Sequence, residues 1–371
     1  MSEGVLVGIL GGGQLGRMLA LAGAPLGLRF ICVDPGTNVP AAIAAQHIQA
    51  EYDSPQAIEA LSQAEVVTYE FENVPAHAAA ELLRRNVHVA PDPAALAVAQ
   101  DRWVEKQCFE QLGIRTVGTV RVDSEDDLAP ALEQLGSPLI LKTRRAGYDG
   151  KGQRVVHSLG EAKAAHQELG AVPMIAEEFM RFTRELSILA VQSKTGERAF
   201  YPLVQNEHRN GILRTTLSPA PNTSSQLQAA AESYASSLLQ HLGYVGVLAL
   251  ELFEKDGSLY ANEFAPRVHN SGHFSIEGSA TSQFENHLRA ILGLPLGDTS
   301  PRAHSVMLNL IGRECPLADV LSVPDAHLHV YGKSARHARK VGHITALARD
   351  IASLEARRSQ LQSFVSLSED G

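Results

Sequence analysis

The sequence predicts an α/β N-terminal domain with a parallel sheet, followed by α+β domains and a small C-terminal domain. Three observations carry this. The first hundred residues alternate short apolar runs with helically spaced ones, a glycine-rich segment follows a strand near residue 142, and the stretches after residue 185 alternate with a period of two. Strand–helix alternation implies crossover connections and parallel pairing, whereas strands joined by tight turns pair antiparallel.

Residues 5–10 form an apolar run that ends in Gly11-Gly12-Gly13, after which Leu15, Met18, Leu19 and Ala22 recur at helical spacing. Further strands are expected at 28–33, stopped by Asp34-Pro35-Gly36, and at 64–69. This first domain spans 1–100. A second region, 101–297, begins with a helix through Trp103 and Phe109 and a strand at 138–142, with a lid subdomain at about 115–180. Strands are expected at 185–192 and 198–204, a helix at 223–242 stopped by Gly243, and a hairpin of 246–254 with 258–264 around Asp256-Gly257. The last region, 298–371, opens with a strand at 305–310 and ends in a polar tail.

Composition narrows the function. Hydrophobic residues make up 44% and charged residues 20%, as in folded globular proteins. A formal net charge of −9 argues against nucleic acid or an acidic membrane as partner, so an anionic substrate must meet a local basic patch. The three cysteines, Cys32, Cys108 and Cys315, match no metal or redox spacing and imply free thiols in a reducing, cytoplasmic setting. No apolar run approaches the roughly 18 residues of a spanning helix.

Four clusters could carry chemistry. Gly11, Gly13 and Gly16 satisfy a GxGxxG pattern after a strand, with Asp34 ending the next one; a nicotinamide dehydrogenase, any anion site, or a mere tight turn would all fit. Gly147, Gly150 and Gly152, with Asp149 and Lys151 among them, suit a flexible lid over polyphosphate. Glu251 interrupts an apolar strand and Glu263 lies on the next, a pairing of oxygen donors suited to Mg²⁺. Residues 333–343 concentrate Lys333, Arg336, Arg339 and Lys340 in an acidic chain and suit a phosphate, although a solvated basic turn would look the same.

Taken in this order, the segments 11–19, Asp101-Arg102, Lys142 with 147–153, 210–214, 243–247, 262–273 and 339–343 resemble the ATP-grasp ligases, most closely their 5-(carboxyamino)imidazole ribonucleotide synthase family of purine biosynthesis. The string 262–273, Asn-Glu-Phe-Ala-Pro-Arg-Val-His-Asn-Ser-Gly-His, is the most specific. The resemblance implies an ATP-grasp cleft, a homodimer, and ATP, bicarbonate and 5-aminoimidazole ribonucleotide as small-molecule substrates. It implies ATP contacts from Arg102, Lys142, Gly147, Tyr148, Asp149, Gly150, Lys151, Gly152, Gln153, Glu177, Glu178, Phe179, Met180, Glu185, His208, Asn262 and Glu263. Glu251 and Glu263 are the implied ligands of Mg²⁺, for which Mn²⁺ could substitute. Asp149, Arg267, His269 and Lys340 are the implied catalytic residues, and Gln14, Glu72, Arg267, Asn270, Ser271, Arg339 and Lys340 the implied substrate contacts. Rival readings keep the fold and change the acceptor (a formate-dependent glycinamide ribonucleotide transformylase or a biotin carboxylase), or discard it for a dehydrogenase or a non-catalytic nucleotide sensor.

Turn geometry bears on the metal pair, because only alternate residues of a strand share a face. A two-residue turn at Asp256-Gly257 would place Glu251 opposite Asn262 and send Glu263 to the other face. A three-residue loop, Lys255-Asp256-Gly257 with Gly257 in the left-handed region, keeps both carboxylates together. The expectation is therefore the three-residue loop, with Gly257→Val weakening Mg²⁺-dependent activity.

Overall fold

A run that is apolar throughout must be covered on both faces, which suits β1 (Leu6–Leu10) as an inner strand of a helix-covered sheet, paired parallel with β2 (Arg29–Asp34) and the later β4 (Val66–Tyr69). The computed structural model describes residues 4–147 and 150–366. At the sheet edge, beyond β2, lies β3 (Gln46–Gln49), a strand the sequence pattern does not signal. Its residues, Gln-His-Ile-Gln, include one apolar side chain, so it leaves no hydrophobic signature. Helix α1 (Gln14–Gly23) covers one face of this sheet, and α2 (Pro55–Leu61) with α3 (Ala76–Arg84) the other.

Helices α4 (Pro93–Ala99) and α5 (Arg102–Gln111) lead to a second, antiparallel sheet. It comprises β5 (Thr119–Val122), β6 (Leu139–Thr143), β7 (Gln153–Val156) and β8 (Met174–Glu178) in the order β5-β8-β6-β7. Helices α6 (Leu128–Leu135) and α7 (Leu159–Glu168) cover it through a small separate core around Leu128, Leu141 and Met174.

Among the described residues the third sheet has nine strands. Its first members are β9 (Arg184–Gln192), β10 (Arg198–Phe200), β11 (Val204–Arg209), β12 (Ile212–Ser218), β13 (Gly246–Lys255) and β14 (Ser258–Ala265). The single strand expected at 198–204 is thus two, broken around Pro202, which has no N–H to give a ladder. Helix α8 (Ser225–His241), capped by the Ser224 side chain, packs on one face through Leu227, Leu238 and Leu239. After the short α9 (Ser275–Gly278), α10 (Gln283–Leu292) fills the other face and joins it to the N-terminal domain. There the buried His287 accepts from the Val247 N–H through Nδ1 (3.1 Å), which leaves its Nε2–H to donate to Thr68 Oγ1 (2.8 Å). Burial pushes this imidazole down to about 4, so it stays neutral and serves as a fixed bridge.

The sheet continues into the C-terminal region. β15 (His304–Ile311) pairs with β12, and β17 (Lys340–Ala348) carries β16 (Ala326–Val330) at the far edge. Helix α11 (Leu317–Leu321) and helix α12 (Ile351–Ser366) accompany them. The expected polar tail is therefore helical as far as residue 366. Its Leu354, Leu361 and Val365 are buried, but Arg, Ser and Gln between them dilute the spacing.

Candidate active site

The hairpin of β13 and β14 closes differently from expectation. Lys255 pairs with Ser258, and Asp256 (φ 51°) and Gly257 (φ 70°) both occupy the left-handed region, which is a two-residue type I′ turn. The three-residue loop is overturned. The two carboxylates nevertheless share a face, because the register shifts between Leu250 and Leu252: Leu252 pairs with Ala261 but Leu250 with Phe264, so Glu251 faces both Asn262 and Glu263. This bulge restores what the turn would have split. The sequence holds a trace of it. Leu259, Ala261 and Phe264 point into one core, and the step from 261 to 264 is three residues instead of two.

Glu251, Asn262 and Glu263 open onto a cavity of about 690 Å³ between the second and third sheets and the N-terminal domain. Burial first, and the Glu263 charge second, push the Glu251 carboxyl above its ordinary range. A cation there would relieve both effects. The donors are all oxygen and thus fit Mg²⁺; among the described residues no three His, Cys, Asp or Glu side chains converge, so phosphate oxygens and water would complete the shell.

Cations border the same cleft. Lys142, at the end of β6, and Lys106, on α5, share Glu177: Lys142 Nζ lies 2.6 Å and Lys106 Nζ 3.0 Å from its carboxylate. Burial opposes ionisation of Glu177, yet the two ammonium groups override it and hold the carboxyl at about 2. Of the two lysines, Lys142 lines the cavity, and Lys106 is buried beside it. Arg102 donates to the carbonyls of Thr143 (3.0 Å) and Gly147 (3.3 Å) and lies 3.6 Å from Glu263. On the opposite wall His208 Nδ1 contacts Glu185 (2.6 Å); burial disfavours its charged form, but Glu185 and Glu251 outweigh that and raise its pKa.

At the far end the N-terminal domain and the C-terminal region meet. Glu72, after β4, receives Arg267 at 2.5 Å from both Nε and Nη2, and despite burial this guanidinium keeps the carboxyl below its usual range. His269 contacts Ser271 Oγ through Nδ1 (2.9 Å) and Glu251 through Nε2 (3.3 Å). Burial, then Arg267 and Lys340, push its pKa well down, so the ring is neutral. Gln283 holds the His269 backbone from both sides, accepting its N–H (2.9 Å) and donating to its carbonyl (2.6 Å). The buried Asn270 amide has no hydrogen-bond partner among the described residues for Nδ2 or Oδ1, and it lines the cavity. Lys333 donates to Gln14 across the chain.

Most residues singled out from sequence line this one cavity: Gln14, Glu72, Arg102, Lys142, Gly147, Gly150, Lys151, Gln153, Glu185, His208, Glu251, Asn262, Glu263, Arg267, His269, Asn270 and Lys340. Gly152, Glu177, Glu178, Phe179, Met180, Ser271 and Arg339 are not among the lining residues; Glu177 is spent on the lysines and Arg339 donates to Ser334. Tyr148 and Asp149 lie outside the described residues. Sequence reasoning missed Glu105, Lys106 and Glu70. The first two sit on a helix where buried charge looks like solvated charge, but Glu70 directly follows a strand end, where α/β folds place ligand contacts.

The first glycine cluster is closed by the chain itself. Glu70 Oε2 accepts the Gly16 N–H (3.2 Å), and Asp34 accepts those of Gly12 (2.9 Å) and Gly36 (2.8 Å). A dinucleotide phosphate would have to displace a buried carboxylate.

Comparison with known proteins agrees along nearly the whole chain. Residues 5–100 match the ribonucleotide synthetase preATP-grasp domain, 107–284 the ATP-grasp domain, and 305–357 the phosphoribosylaminoimidazole carboxylase C-terminal domain. The chain is 49% identical to the N5-carboxyaminoimidazole ribonucleotide synthase of Pseudomonas aeruginosa over 97% of this chain and 99% of that one. The crystal structure of the N5-carboxyaminoimidazole ribonucleotide synthetase from Thermus thermophilus superposes with a TM-score of 0.93 at 51% identity, covering 97% and 98% of the two chains. The Aspergillus clavatus synthase in complex with ADP and 5-aminoimidazole ribonucleotide superposes with a TM-score of 0.91 at 33% identity, covering 99% and 100%.

Proposed function

Because the chain belongs to the N5-carboxyaminoimidazole ribonucleotide synthase family of ATP-grasp ligases, we propose that it carboxylates 5-aminoimidazole ribonucleotide at the expense of ATP in purine biosynthesis. The observation that carries this reading is the single cavity in which a cationic, carboxylate-flanked end meets an end built around Arg267, His269 and Asn270.

Bicarbonate is a poor electrophile. Transfer of the ATP γ-phosphoryl group to a bicarbonate oxygen gives ADP and carboxyphosphate; attack by the substrate amine, with or without prior release of carbon dioxide, forms the C–N bond and expels phosphate while the amine loses a proton. Positioning and charge neutralisation dominate such a transfer. Lys142 and Lys151 would hold the phosphates, and Arg102 would steady the lid through Gly147. Glu251 and Glu263 would hold Mg²⁺, or Mn²⁺ in its place, and the ion when bound neutralises charge on the polyphosphate. Arg267, immobilised by Glu72, would clamp bicarbonate and then carboxyphosphate. Asp149 and His269, whose ring is neutral, would orient the amine and handle its proton between them. Lid residues 147–152 would keep water from the mixed anhydride.

Lys340 and Gln14, at the end where the basic C-terminal loop meets the N-terminal domain, would bind the ribonucleotide, with Ser271 and Arg339 supporting that end. A homodimer follows from the family resemblance, and the free thiols of Cys32, Cys108 and Cys315 support a reducing, cytoplasmic setting.

ADP release measured with ATP, Mg²⁺, bicarbonate and 5-aminoimidazole ribonucleotide, each omitted in turn, tests the reading. Release should require the ribonucleotide and ignore formate. Full activity with formate and glycinamide ribonucleotide would overturn it. Lys340→Ala should impair use of the ribonucleotide far more than ATP binding.

A further inference from the structure

Glu263 sits in the bulge of an edge strand, where the ladder does least to fix its direction. What holds it comes from outside the sheet. The peptide before Glu263 offers the Asn262 carbonyl, and Lys106 Nζ donates to it at 2.8 Å. The peptide after it offers the Phe264 N–H, which donates to Glu105 Oε1 at 2.7 Å. One residue further back, the Ala261 N–H donates to the Arg115 carbonyl at 2.7 Å. Glu105 and Lys106 are 2% and 5% exposed, and ionisable side chains are seldom so deeply buried unless they have a partner.

We propose that Glu105 and Lys106, neighbours on α5, are positioning residues that lock the two peptides flanking Glu263 and so aim its carboxylate into the cleft. Lys106 has a second office. Through Glu177 it orients Lys142, so one helix turn registers both the carboxylate and the lysine of the phosphate end. Arg102, one turn earlier on α5 and 3.6 Å from Glu263, lies on the same side. The inference rests on the reading of Glu251 and Glu263 as a divalent-ion pair, and it adds that the pair is only as good as the helix behind it.

The test is Mn²⁺ binding to the enzyme–ADP complex, followed by electron paramagnetic resonance, beside calorimetric binding of ADP alone. In Glu105→Leu, which deletes the acceptor at nearly constant volume, Mn²⁺ affinity should fall by about 10-fold or more. Glu105→Gln keeps an oxygen for the Phe264 N–H and should restore it. Lys106→Met should lose Mn²⁺ affinity and also raise the KM for ATP, because Lys142 loses its register. Mn²⁺ affinity equal to the parent's in a folded Glu105→Leu, or an equal loss in the Leu and Gln variants, would overturn the proposal. If Glu105→Leu does not fold, Lys106→Met decides: unchanged Mn²⁺ affinity overturns it. A parent that binds ADP but no Mn²⁺ would sink the metal reading itself, a result distinct from parent-like variants.

Discussion

Two glycine-rich loops follow strands in this chain, and they use their backbones in contrary ways. In residues 11–16 the amides at the start of α1 are already spoken for by Glu70 and Asp34. The loop at 147–152 instead borders the cavity through Gly147, Gly150 and Lys151, and its neighbours Lys106 and Lys142 divide a single carboxylate between them. Glycine content reports room for the backbone. Whether a ligand enters depends on the balance of nearby charge, which is closed at the first loop and left positive at the second.

On this contrast, charge balance at the lid end should be the costliest thing to disturb. Glu177→Ala leaves two buried ammonium groups facing each other and should destabilise by about 3–5 kcal/mol near neutral pH. The sign with pH follows from its depressed pKa of about 2 against an ordinary 4.5. Its contribution is fully present above the unfolded value and disappears as pH falls through the folded one. Urea unfolding at a series of pH values should therefore show parent and variant converging in acid; a constant gap would break the account.

Next in size is Gly13→Val. A Cβ there would collide with Glu70 Oε1 and come 2.6 Å from Oε2, so the sealing carboxylate must leave. Overpacking and the lost hydrogen bonds together should cost about 3 kcal/mol, read as a shift of the urea midpoint.

Gly150→Val sharpens the contrast from the other side. Gly150 has φ 73°, and a Cβ on it would lie 2.9 Å from Gly211 Cα and 3.0 Å from the Asn210 carbonyl, at the β11–β12 turn. Displacing the lid should lower turnover by about 100-fold while stability changes less than in Gly13→Val. A variant that melts early but turns over normally would erase the distinction between the loops.

The smallest effect belongs to Gly257, which touches neither loop. Substitution by Ala at its φ of 70° should cost about 1 kcal/mol and leave turnover near the parent's, since the bulge, and not the turn, sets which way Glu263 points. A large loss of Mg²⁺-dependent turnover would return control of the register to the turn.

Legibility from sequence followed the same divide. Glu251 stood out because a carboxylate inside an apolar strand needs a reason, and the string 262–273 marked the far end of the cleft. The turn was misjudged because one-residue bookkeeping along a hairpin fails when a bulge intervenes, and the three-residue step from Ala261 to Phe264 was its only local sign. β3 and α12 escaped notice because each buries few side chains. Glu105 and Lys106 could not be told from surface charge, since each binds a backbone group more than 150 positions away and the carboxylate that pairs with Lys106, Glu177, is itself distant in sequence.

The continuity of the large sheet bears on how the chain can be cut, swapped or made. β15 runs antiparallel to β12 through Thr215–Leu308, Thr216–Met307, Leu217–Val306 and Ser218–Ser305. A shortened chain ending before β15 would bare the open rim of β12, a ready template for another chain. Such truncations should clump on expression, and a nascent chain emerging from the ribosome carries the same hazard until its last strands arrive. The C-terminal region, whatever it contributes to ligand binding, also acts as the chain's protection against its own unfinished sheet.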